Sequence, residues 1–104
     1  MRILFDQGTP APLRRFFPGH TISTAYEMRW SDLSNGDLLK AAEGIFDLLV
    51  TTDKNLRYQQ NLARRRLAIV VLPTTNWSEI QDHTSEIATA VSACKPGDYV
   101  EVDW

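Results

Sequence analysis

The chain has 104 residues, 43% of them hydrophobic, and a formal net charge of -2. That length makes one domain, residues 1–104, and the apolar fraction is enough to fill a core, which argues against a disordered tail or linker. The charge rules out a global basic field, and the lone Cys94 rules out an internal disulfide or a cysteine metal cage, in keeping with a reducing cytosol.

Met1-Arg2-Ile3-Leu4-Phe5 opens as a strand that stops at Asp6, too early for a secretory leader. No stretch approaches the ~20 apolar residues of a membrane span. A soluble cytoplasmic protein is therefore expected. After the break Gln7-Gly8-Thr9-Pro10, the spacing of Leu13, Phe16 and Phe17 predicts a helix over Ala11–Phe17, which Pro10 or Pro12 can open. Pro18-Gly19 ends it, and His20–Ser23 reads as a short second strand. Thr24–Leu33 has alternating Tyr26, Met28 and Trp30 but lies between loops and fits neither period.

Ser34-Asn35-Gly36 signals a helix start, with Asp37–Glu43 as the helix and Gly44 as its stop. Leu48-Leu49-Val50-Thr51 is a short apolar run that fits a strand buried on both faces. It ends at Thr52-Asp53. Lys54–Ala63 reads as a short polar helix, and Leu67–Leu72 is the clearest strand. Asn76 or Ser78 can cap one long helix carrying Ile80, Ile87, Ala90 and Val91. Lys95-Pro96-Gly97-Asp98 is a turn, and Tyr99–Val102 an edge strand, read as free to run antiparallel. Strands alternating with helices predict a three-layer α/β/α sandwich around a mostly parallel central sheet.

Sites in open α/β sheets gather beyond the carboxyl ends of the strands. Asp6 and Asp53 stand at two such ends and Asp37 at a helix start. Magnesium is a hard ion usually held by a few carboxylates and water, and carboxylates crowded together repel one another without a cation. These three are the candidate metal ligands and catalytic residues. Each has a plainer role open to it: Asp6 in an Asx-turn, Asp37 in a capping box, Asp53 as a cap for the segment after it. Thr51 and Thr52 could orient water or phosphate, or close a local turn. Arg57, Arg64, Arg65 and Arg66 form the one basic concentration, suited to RNA phosphates or simply to solvent. Trp30, Trp77 and Trp104 could stack bases but suit core anchoring as well.

The segments Ile3-Leu4-Phe5-Asp6, Asn35-Gly36-Asp37-Leu38-Leu39-Lys40-Ala41-Ala42 and Leu49-Val50-Thr51-Thr52-Asp53 resemble the PIN-like domains, in particular the short stand-alone proteins related to VapC-type toxins. The resemblance covers roughly residues 1–73. It implies a metal-dependent ribonuclease that uses Mg2+ or Mn2+ held by Asp6, Asp37 and Asp53, cleaves single-stranded RNA, and is paired with an antitoxin protein or a second copy of itself. The chain departs from larger members at Gln7, Asn55 and Leu56, and only Glu27 and Asp32 are available for their additional helix-borne acid. The alternative is a PIN-like module of weakened activity that acts through a partner. A receiver-like signalling domain, the third reading, lacks a lysine at the end of the Leu67–Leu72 strand.

Overall fold

A computed structural model describes residues 1–56 and 65–104. Its centre is a sheet of five strands, β1 (Arg2–Phe5), β2 (Thr21–Thr24), β3 (Leu48–Thr51), β4 (Ala68–Val71) and β5 (Tyr99–Glu101). The spatial order is β2-β1-β3-β4-β5, and every neighbouring pair is parallel. Among the described residues the helices are α1 (Asn35–Ala42), α2 (Trp77–Gln81) and α3 (Thr84–Ala93), with a 3-10 segment at Ala11–Phe16.

The alternation of side chains along the strands explains why two layers of helix are needed. Ile3 and Phe5 of β1, Leu48 and Val50 of β3, and Ala68 and Val70 of β4 face one way, and pack with Leu13, Phe17, Ile80, Ile87 and Val91. Leu4, Leu49, Ile69 and Val71 face the other way, against Leu38, Leu39 and Ala42 of α1 and against Phe46, Leu56 and Leu67. All four residues of β3 and all four of β4 are buried, so these runs carry no polar alternation. The α/β sandwich expected from the sequence is the architecture observed.

Three local expectations are corrected. The first helix is a 3-10 turn, because Pro10 and Pro12 remove donors from a short segment and the Leu13 N–H closes on the Pro10 carbonyl at 3.1 Å. The long helix breaks at Asp82–His83, where short polar and β-branched residues (Asp82, Thr84, Ser85) compete with the helical backbone. Asn76, not Ser78, caps its first half, the Asn76 side chain accepting from the Glu79 N–H at 3.1 Å. The last strand runs parallel to β4, with Ile69 opposite Tyr99 and Val71 opposite Glu101. The α2–α3 crossover returns the chain to the starting end of the sheet, as a parallel pairing demands. There the Gly97 N–H donates to the Arg66 carbonyl and the Ile69 N–H to the Asp98 carbonyl, each at 2.8 Å.

Residues 57–63 of the expected Lys54–Ala63 helix lie outside the described residues. Trp30 packs edge-on against Phe46, Trp77 joins the α2–α3 side of the core, and Trp104 stacks on His83 at 4.4 Å between ring centres, so all three are anchors. Among the described residues no helix is long and apolar enough to cross a membrane.

Candidate functional site

The strand order reverses between β1 and β3. The chain leaves β1 towards β2 on one side and, after β2, crosses back to β3 on the other. A crevice opens beyond the carboxyl ends of the strands at such a reversal. The register sets what lines it: Phe5 pairs with Thr24 on one side and Val50 on the other. Asp6 therefore comes level with Thr51, and Asp53 follows two residues later on the same rim.

Asp6 is held from both oxygens. Oδ1 accepts from the Thr9 N–H at 3.1 Å and lies 2.7 Å from the Thr9 hydroxyl. Oδ2 accepts from the Thr51 hydroxyl. The local turn to Thr9 and the cross-strand contact to Thr51 coexist. Thr9 and Thr51 are both buried, and Asp6 between them is partly buried. Burial pushes its pKa above the ordinary carboxylate value, against the lowering effect of the Thr51 and Thr9 hydrogen bonds. The Thr9 hydroxyl also lies 2.9 Å from the Val50 carbonyl. It has one proton for two acceptors, so it can donate to Val50 when Asp6 is protonated and to Asp6 when Asp6 is ionised.

Thr51 links the two aspartates. Its hydroxyl donates to Asp6 and accepts from the Asp53 N–H at 3.1 Å. Asp53 in turn closes a turn with the Asn55 N–H on Oδ1, 2.9 Å, and accepts from the Asn35 side-chain amide on Oδ2, 2.6 Å. Asn35 opens α1, and Asp37 sits in the same first turn, its N–H donating to the Ser34 hydroxyl at 3.3 Å. Asp6, Thr51, Asp53 and Asn35 thus form one hydrogen-bonded chain that carries the start of α1 to the rim, with the exposed Asp37 beside it. Gly8 belongs to the same construction: a Cβ there would stand 2.5 Å from the Thr52 hydroxyl, so the Asp6–Thr9 turn can lie against Thr52 because residue 8 has no side chain.

Other expected residues lie elsewhere. Arg65 and Arg66 precede β4 and sit at the amino end of the sheet, opposite the aspartates. A four-residue strand spans roughly 13 Å, too far for them to serve the same crevice. There Arg66 is fixed by its backbone, its N–H on Glu43 Oε1 at 2.8 Å. Arg57 and Arg64 lie outside the described residues. Glu27, one of the two stand-ins for an additional acid, is engaged by Arg14 at 2.6 Å and by the Thr24 N–H at 2.9 Å, and these bonds hold its carboxyl below the usual range.

Thr9 and Asn35 are the positioning residues the sequence did not reveal. Thr9 reads as part of a break and Asn35 as part of a helix signal; Thr9 meets Asp6 in its own turn and the Val50 carbonyl across the sheet, and Asn35 meets Asp53. Among the described residues no group of three or more His, Cys, Asp or Glu side chains is gathered to hold a metal ion.

The burial of Asp6 has a consequence for stability. Between its unfolded value, near 3.8, and its raised folded value, the native state holds a proton that the unfolded chain has lost. Stability conferred at this position then falls as pH rises. In EDTA, Asp6→Asn is expected to gain stability relative to the natural chain as pH climbs through this window, and the gain should level off once folded Asp6 is also ionised. Urea denaturation of both proteins across pH 4–8 checks this; a difference independent of pH would contradict it.

Comparison of the chain with protein-family models, with curated proteins and with solved structures finds no match. The chemistry of this rim is therefore the ground for a functional reading.

Proposed function

We propose that the chain is a PIN-like, magnesium- or manganese-dependent ribonuclease acting on single-stranded RNA, with Asp6 and Asp53 as its principal cation ligands and Asp37 at the edge of the same site. The observation that carries this reading is the hydrogen-bonded chain from Asp6 through Thr51 to Asp53 and Asn35 at the strand-order reversal. It fastens two carboxylates from different strands and the start of α1 to one rim.

The donor set suits a hard cation. It consists of carboxylate and hydroxyl oxygens, and magnesium is commonly held by one or two carboxylates with water completing the shell. When bound, such an ion neutralises charge on a phosphodiester and activates water. The chain's own residues do the rest. Thr9 and Thr51 orient the Asp6 carboxyl, and the Thr9 hydroxyl can turn towards it as it ionises. Asn35 and the Asn55 N–H fix the rotation of Asp53. Thr52, against Gly8, closes the floor between the two loops. An antitoxin-like protein that covers this rim is the implied partner.

A second reading has its own support. Asp6 is bonded by two hydroxyls and, among the described residues, three acids are not gathered, an arrangement that also suits a PIN-like module of weakened activity that works through a partner. Incubation of purified protein with a labelled single-stranded RNA separates the two. The nuclease reading predicts cleavage in millimolar magnesium or manganese that EDTA abolishes. Cleavage that survives EDTA, or none in either metal, would overturn it.

A further inference from the structure

We propose that Tyr26 is a stacking platform for a base of single-stranded RNA beside Asp6; this rests on the ribonuclease reading and names where its substrate lies.

Tyr26 is 79% exposed, the most exposed large hydrophobic side chain among the described residues. Its position is rigid for a loop residue. The Thr24 hydroxyl accepts from the Glu27 N–H at 3.1 Å, while Glu27 Oε1 accepts from the Thr24 N–H. The Met28 N–H bonds to the Thr24 carbonyl at 3.0 Å and the Trp30 N–H to the Ala25 carbonyl at 2.8 Å. Ala25 is buried beneath the turn. Arg29 is the one described non-glycine residue with positive φ, 62°, and its N–H caps the Tyr26 carbonyl at 3.0 Å. A backbone held this way loses little freedom when the ring binds.

Tyr26 lines two grooves. One, of about 500 Å³, it shares with Asp6, Gln7, Thr24 and Thr75. The other it shares with Glu27, Arg29 and Asp32. One aromatic face, amide and hydroxyl groups beside it, and an acidic end suit a stacked base with a polar edge. Base–aromatic stacking tolerates any base sequence. The other exposed large hydrophobics, Met1, Phe16, Leu33 and Ile45, do not line this groove, whereas Pro10 and Ala11 do and add apolar surface on which a base can lie. Tyr26 is also two residues beyond Thr24, which pairs with Phe5, so the platform adjoins the residue that leads into Asp6.

Binding of a fluorescein-labelled ten-nucleotide oligouridylate in EDTA, followed by anisotropy, tests this apart from cleavage. Tyr26→Ala should weaken binding at least about fivefold, and Tyr26→Phe, which keeps the ring, should stay within about twofold of the natural protein. An abasic oligomer should bind weakly and be indifferent to Tyr26→Ala. Equal binding by Tyr26→Ala, binding by Tyr26→Phe as weak as by Tyr26→Ala, or no binding by the natural protein would overturn the proposal. Tyr26-dependent binding without metal-dependent cleavage would uphold the platform and reject the nuclease. Cleavage with Tyr26-independent binding would do the reverse.

Discussion

Phe5→Ala is expected to lower the stability of the domain by about 3–5 kcal/mol, read as a fall in the urea midpoint at unchanged slope. Phe5 is fully buried and its ring meets Phe17 edge-on, 6.1 Å between centres, on the side of the sheet covered by α2 and α3. β1 is paired on both sides, so the strand cannot move to refill the cavity without disturbing β2 and β3. A domain of this size commonly has only 5–15 kcal/mol to lose. The site should suffer as well, because the Phe5 carbonyl accepts from the Ala25 N–H at 2.8 Å and Asp6 is the next residue. A loss under about 1 kcal/mol would mean that this face of the core repacks freely.

Asp53→Asn is expected to reduce metal-dependent RNA cleavage on the order of 100-fold while leaving the fold intact. The change keeps size and shape. Oδ1 can still accept from the Asn55 N–H. What is lost is the negative charge that a cation needs. Arg66→Gln provides the contrast, since Arg66 is at the other end of the sheet; its cleavage rate should stay within about twofold. Equal cleavage by Asp53→Asn and the natural chain would place the activity elsewhere or in a contaminant.

Much of this architecture was legible because its signals are local. The runs Ile3–Phe5, Leu48–Thr51 and Leu67–Leu72 have no polar alternation, which a parallel sheet buried on both faces explains, and the carboxylates at two of their ends are visible in the same runs. What escaped depends on partners distant in the chain. The direction of β5 is set by where α3 delivers it, not by the sequence of Tyr99–Glu101. The hydroxyl cage of Asp6 joins residues 6, 9 and 51, and Asn35 meets Asp53 across 18 positions. Tyr26, Met28 and Trp30 alternate like a strand, yet a left-handed Arg29 folds them into a turn that exposes the first and half-buries the other two. The arginines near Asp53 in sequence illustrate the opposite error: Arg65 and Arg66 precede a parallel strand, and its direction carries them away from the site.

The proposed function requires that Asp6, which follows β1, and Asp53, which follows β3, share one cation. Isothermal calorimetry with manganese, on the natural chain and on the Asp6→Asn/Asp53→Asn double variant, tests it without reference to RNA. Saturable binding of manganese at millimolar concentration or below is expected of the natural chain, and its loss in the double variant. No heat from the natural chain, or the same isotherm from both proteins, would contradict it.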